Sequence, residues 1–141
     1  MPIDSVALIA AARAARERAY APYSQFAVGA ALLTVDGSII PGCNIENAAY
    51  SACICAERAA VAGAIAGGHR QFAALAVIAD SPRPVPPCGV CRQVLAEIAP
   101  GLIVFLANLA GAVEATTITA LLPGAFGPGD LRPQMDTDGH R

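Results

Sequence analysis

The cysteine spacing constrains this chain more than any other feature: Cys55-Ala56-Glu57 comes first, and Pro87-Cys88-Gly89-Val90-Cys91 follows further along. Both segments are expected to open helices. Cys88 and Cys91 then share a face in a first turn, because residues three apart lie side by side. Two helix N-termini aimed at one point supply positive partial charge and free N–H donors, which stabilise thiolates and lower their pKa. Glu57 is only two residues from Cys55, and such positions do not face each other on a regular helix. Cys55 must therefore sit at the cap for both groups to reach one site.

The rest of the chain supplies strands to carry these helices. Asp4 or Ser5 caps a first helix expected to run to about Ala19, with Val6, Leu8 and Ile9 as its apolar side and Pro22 beyond its end. Phe26–Val35 is strand-like, Asp36-Gly37 is a hairpin turn signal, and Ser38 to about Cys43 is the returning strand. A loop from Asn44 to Ala52 leads to a helix from about Ile54 to Ala66, which Gly67-Gly68 terminates. The apolar run Ala73–Ala79, a loop with prolines at 82, 84, 86 and 87, a helix from about Cys88 to Ile98 and a buried strand at Leu102–Ala107 make a strand-helix-strand unit. That order implies a parallel pair joined by a crossover. Val113–Thr116 reads as a short edge strand and Ile118–Leu122 as a helical turn. The Gly-, Pro- and Asp-rich tail from about 127 is expected to fray. No linker or repeat divides the 141 residues, so the expectation is one domain of the α/β class, a mixed β-sheet covered by helices.

Composition removes whole chemistries. All nine basic residues are arginine, so no lysine can form a Schiff base or complete a phosphate-binding loop. The only histidines are His69, beside a Gly-Gly pair, and His140 near the end, which leaves little for a Ser-His-Asp triad. A formal charge of -2 with no basic run argues against nucleic acid or an anionic membrane as partner. The apolar stretches fall short of the roughly 20 residues of a membrane helix, and the start of the chain has no secretory pattern. A cytoplasmic protein is expected, with its five cysteines reduced.

Three thiolates without a fourth protein ligand suit a catalytic zinc, whose open position holds water. Glu57 then reaches that position as the base that takes a proton and returns it. The site's negative charge calls for a cation, and Arg58, ahead of Arg92, is the candidate to donate hydrogen bonds to the sulfurs. On its own a CxxC pair also suits a redox couple or a structural zinc site with a fourth ligand from Cys53 or Cys43, although Cys53 fits a small buried hydrophobe better.

These residues resemble the zinc-dependent cytidine deaminase family, whose signature pairs a C/H-x-E with P-C-x-x-C. The resemblance runs from Tyr20-Ala21-Pro22-Tyr23-Ser24-Gln25-Phe26-Ala27-Val28-Gly29-Ala30 through Gly42-Cys43-Asn44-Ile45-Glu46-Asn47-Ala48-Ala49-Tyr50 and Cys55-Ala56-Glu57-Arg58 to Pro87–Gln93 and Leu121-Leu122-Pro123-Gly124-Ala125-Phe126. Cysteine at position 55 in a short chain resembles the homotetrameric branch. The resemblance implies a cytidine deaminase-like fold, one Zn2+ on Cys55, Cys88 and Cys91, and hydrolysis of cytidine and 2'-deoxycytidine by water on the zinc, with Glu57 as proton shuttle. It also implies that Asn44 and Glu46 bind the ribose hydroxyls, that the Ala56 backbone holds the pyrimidine, that Phe26 packs on base or sugar, and that Tyr50 and Phe126 approach a neighbouring subunit's pocket. A nucleoside fits better than a nucleotide, since no basic cluster offers to bind phosphate. Taken alone, Asn44 reads as a turn residue and Phe26 and Phe126 as core. The other readings are a deaminase of another amino-pyrimidine such as a cytosine-bearing antibiotic, an enzyme editing RNA or DNA, and a non-catalytic zinc module, which has no use for Glu57.

Overall fold

Alternation along the strands decides which helix covers which face of the sheet. A computed structural model describes residues 2–131. In chain order it contains α1 (Ser5–Arg16), β1 (Val28–Thr34), β2 (Ile39–Cys43), α2 (Ala56–Ala66), β3 (Phe72–Ala79), α3 (Gly89–Ile98), β4 (Ile103–Asn108), β5 (Val113–Thr117) and α4 (Ile118–Leu121), with 3₁₀ turns at Tyr50–Ala52 and Pro128–Leu131. The five strands form one sheet in the order β2-β1-β3-β4-β5. β3 and β4 run parallel and the other pairs are antiparallel, so the mixed α/β sheet is as expected.

Ala30, Leu32, Leu75, Val77, Val104 and Leu106 point to one face, where Ala56, Ala60, Val61 and Ala64 of α2, Leu95 of α3 and Ile118 of α4 cover them. Ala31, Ala74, Ala76, Ile78 and Ala107 point to the other, under Leu8 and Ala12 of α1. Central β3 is apolar throughout because both of its faces are covered. Pro41 is tolerated because β2 lies at the sheet edge, where a missing N–H leaves no ladder bond unmade.

Glycine sets the distance between α2 and the sheet. A Cβ at Gly42 would stand 2.3 Å from the Ala56 carbonyl oxygen and 2.6 Å from the Ala60 nitrogen. Only a residue without a side chain lets the first turn of α2, which carries the Cys55-Ala56-Glu57 segment, rest directly on β2.

Several boundaries differ from the sequence reading. α1 stops at Arg16 and not near Ala19, because the next three amides turn back to carbonyls three residues earlier and tighten the chain out of the helix. Its buried stripe is Leu8, Ala12 and Ala15, while Val6 falls off that face and is 77% exposed. The second and third helices begin one residue after Cys55 and Cys88, which take extended cap conformations. In the segment expected to fray from Gly127, Pro128–Leu131 form a turn closed by Asp130 Oδ2, which accepts from the Gly127 N–H at 2.8 Å. The remainder of that expected tail, 132–141 including His140, lies outside the described residues.

Candidate metal and active site

Cys55 is the N-cap of α2 and Cys88 the N-cap of α3, and Cys91 lies one turn into α3. The three Sγ atoms all fall within 4.8 Å of one another, and those of Cys55 and Cys88 are 3.8 Å apart. Tetrahedral zinc with bonds of about 2.3 Å separates its sulfurs by about 3.8 Å, so this donor set has the size and chemistry to hold that cation. Cys43 and Cys53 stand outside the cluster. Cys53 is only half-buried and exchanges hydrogen bonds with the Asn47 backbone, so it is not the buried hydrophobe that its sequence context suggested.

The thiols are electrostatically graded. The Cys55 thiol is pulled down to about 5, first by a hydrogen bond from Cys91 and then by Arg58 and Cys88. The same bond, together with burial, pushes Cys91 up. Arg58 Nη2 donates to Cys55 Sγ at 3.6 Å, as expected, and its Nε is buried with no hydrogen-bond partner among the described residues. Arg92 does not reach the sulfurs. Its guanidinium donates instead to the carbonyls of Pro87 and Leu121, because its side chain leaves α3 toward α4.

Glu57 occupies the first turn of α2 and is 4% exposed. Burial pushes its carboxyl up to about 7, and the neighbouring Cys55 thiolate adds to the rise. Glu57, Cys55 and Cys88 line a cavity of about 290 Å³, near the lower end of ligand-site volumes. Ala56, Val77, Phe26, Asn44 and Glu46 line it as well. Residues that are 30 apart or more in sequence thus meet because the N-terminal ends of α2 and α3 lie on the same face of the sheet.

Asn44 and Glu46 have a second occupation that the sequence did not reveal. Asn44 Oδ1 accepts from the Val28 N–H at 2.9 Å, and its Nδ2 donates to the Phe26 carbonyl at 2.8 Å. Glu46 Oε1 accepts from the backbone N–H groups of Tyr23 and Ser24, and Oε2 from the Ser24 hydroxyl. These bonds hold Glu46 below its ordinary carboxylate pKa, the Ser24 hydroxyl contributing most. They also brace Gln25, whose φ of 56° is a left-handed conformation uncommon outside glycine. Phe26 follows it and is 41% exposed at the cavity, so it is not ordinary core.

Tyr50 and Phe126 do not enter this cavity. Tyr50 packs edge-on against Tyr23, with ring centroids 5.9 Å apart, over an adjoining hollow. Phe126 is exposed, and its carbonyl accepts from Gln93 Nε2 at 2.7 Å. Ser24, Val28, Val77, Val85 and Pro86 line the cavity without having been singled out from sequence. Ser24 and Val28 lie within the Tyr20–Ala30 motif, while Val85 and Pro86 carry no local signal beyond their place before Pro87-Cys88.

Residues 3–107 match the family model for the cytidine and deoxycytidylate deaminase zinc-binding region. The chain belongs to the cytidine deaminase family. Among its relatives, a cytidine deaminase of Sporosarcina psychrophila is 57% identical over 130 residues, covering 92% of this chain and 96% of that protein. A cytidine deaminase of Halalkalibacterium halodurans is 54% identical over 130 residues, covering 92% and 98%. The crystal structure of the Burkholderia pseudomallei cytidine deaminase superposes with a TM-score of 0.86 at 54% identity, over 88% of this chain and all of that one. The sheet and its helices are thus a cytidine deaminase fold, and the three-cysteine cluster falls within the matched zinc-binding region.

Proposed function

We propose that this chain catalyses the hydrolytic deamination of cytidine and 2'-deoxycytidine to the uridine nucleosides with release of ammonia. The observation that carries the reading is the convergence of three cysteine sulfurs beside a cavity that Cys55, Cys88 and the buried carboxyl of Glu57 line together with Phe26, Asn44 and Glu46. Cys55, Cys88 and Cys91 hold the zinc, one per chain. The chemistry that the cation supplies when bound is Lewis-acid activation of water for attack at C4 of the pyrimidine.

The chain's own groups do the rest. Glu57, its carboxyl raised by burial, takes one proton from water to ring N3, where it stays in the uridine product, and a second from the new C4 hydroxyl to the departing amine, which leaves the C4 carbonyl. Arg58 offsets the negative charge of the thiolates by its bond to Cys55. The Ala56 backbone at the first turn of α2 holds the pyrimidine edge, and Phe26 packs against base or sugar. Asn44 keeps one amide N–H and one lone pair beyond its loop bonds, and Glu46 keeps one lone pair, on Oε2, so both are able to engage sugar hydroxyls. Among the described residues no arginine lines this cavity, and the chain has no lysine, which favours a nucleoside over a nucleotide.

The reading extends to one catalytic domain acting in the cytoplasm as a homotetramer. Exposed Tyr20, Tyr23, Tyr50 and Phe126 support association, because a chain of 14% charged residues leaves large apolar side chains to be covered. Five free thiols support a reducing compartment. Among the described residues no helix is long and apolar enough to cross a membrane.

An ultraviolet assay of the purified protein on cytidine, deoxycytidine, cytosine and cytidine monophosphate in parallel tests the function. Turnover of both nucleosides well above that of cytosine and the monophosphate is expected. Equal turnover of cytosine would remove the sugar-binding roles of Asn44 and Glu46, and no turnover of either nucleoside would overturn the reading.

A further inference from the structure

Cys88 stands at the end of a segment in which Pro84 and Pro87 are buried but whose backbone has few hydrogen-bond partners. Four of the seven residues between Ser81 and Pro87 are prolines, at 82, 84, 86 and 87, and they offer no N–H. Among the described residues this segment makes no backbone–backbone hydrogen bond. Cys88 is itself exposed and its side chain makes no capping bond to α3. Yet the segment carries one metal ligand and two residues of the cavity wall, Val85 and Pro86.

Two side chains clamp the segment at its ends. At the start, buried Asn108 donates from Nδ2 to the Ser81 carbonyl at 3.0 Å, and its Oδ1 accepts from the Ala112 N–H at 2.9 Å. At the finish, Arg92 donates from Nε to the Pro87 carbonyl at 2.8 Å and from Nη1 to the Leu121 carbonyl, also at 2.8 Å. The Pro87 carbonyl belongs to the peptide unit that leads into Cys88. The Leu121 carbonyl belongs to the last residue of α4, which Ile118 anchors in the core. A planar guanidinium presents rigid, divergent donors and spans two such carbonyls, which a single ammonium does not.

We propose that Arg92 is a positioning residue for the metal site: by tying the end of the proline segment to the end of α4, its guanidinium sets where the Cys88 thiolate stands. It acts on the metal through the backbone of its own ligand and not through a sulfur. The proposal rests on Cys88 being a zinc ligand, and the experiment separates the two.

Zinc transfer from the loaded enzyme to a chromophoric chelator is timed for the parent, Arg92→Ala, Arg92→Lys and Arg70→Ala. Arg70 also bonds backbone carbonyls, but at the far end of α2 from Cys55. Loss of a group that orients a ligand typically weakens metal retention about tenfold or more, and that acceleration is expected for Arg92→Ala. Added guanidinium ion should slow its release again, Arg92→Lys should fall between it and the parent, and Arg70→Ala should match the parent. If Arg92→Ala does not fold, Arg92→Lys decides: faster release supports the proposal, and parent-like release overturns it. Parent-like release from folded Arg92→Ala, or equal acceleration in Arg70→Ala, likewise overturns it. A parent protein that takes up no zinc would instead defeat the metal reading beneath it.

Discussion

The Sγ atoms of Cys55 and Cys88 lie 3.8 Å apart although 33 residues separate them, and each of these cysteines caps a helix. Cap residues are extended, so their side chains project beyond the helix start toward the positive end of its dipole. Elemental analysis should find one zinc per chain, and Cys88→Ala should lower that stoichiometry. Full zinc in Cys88→Ala would remove this residue from the ligand set.

Gly42 is the floor on which the metal-bearing turn of α2 rests. A methyl group there meets the Ala56 carbonyl and the Ala60 backbone, so Gly42→Ala should cost about 1–3 kcal/mol by overpacking. Because the displaced turn carries Cys55 and Glu57, zinc content should drop along with the melting temperature. An unchanged melt and full zinc would show that the turn moves aside at no cost.

Glu46 links the pH dependence of stability to the loop that presents Phe26. Its pKa in the folded chain lies below the ordinary 4.5, because the Ser24 hydroxyl and the Ser24 and Tyr23 amides bond to the carboxylate. That stabilisation is complete above pH 4.5 and disappears as pH falls through the lower folded value. Glu46→Gln should therefore melt below the parent at neutral pH, and the gap should close only in acid. A gap independent of pH would detach the carboxylate charge from loop stability.

Much of this geometry was legible in the sequence because it depends on local chemistry. Asp36-Gly37 placed the first hairpin, and the Cys55–Glu57 spacing required a cap, since two adjacent-but-one side chains reach one site only if the first is outside the helix. Other features depend on what the chain meets elsewhere. Arg92 follows Cys91, which suggested the sulfurs, but its direction is set by where α4 docks, 29 residues later. Asn44 and Glu46 carry ligand-type groups whose loop-bracing bonds appear only once residues 23–28 lie beside them. Val6 looked apolar enough for the core, yet the helical face fixed by Leu8 and Ala12 excludes it.

Assembly is tested by dilution. If exposed Phe126 and Tyr50 complete a neighbour's site, activity per chain should fall as the protein is diluted through its association range, while zinc stays bound. Removing the chain from Ala125 onward should likewise impair turnover without releasing the metal. Light scattering that shows a fully active monomer would contradict both.

The most direct test of the account is turnover of cytidine by Glu57→Gln, with zinc quantified in the same samples. The amide keeps the shape of the side chain but cannot carry the proton, so full zinc, an intact fold and a loss of about 10²-fold or more in turnover are predicted. Near-normal turnover by zinc-loaded Glu57→Gln would contradict it, because the buried carboxyl on the cavity wall would then have no part in the chemistry.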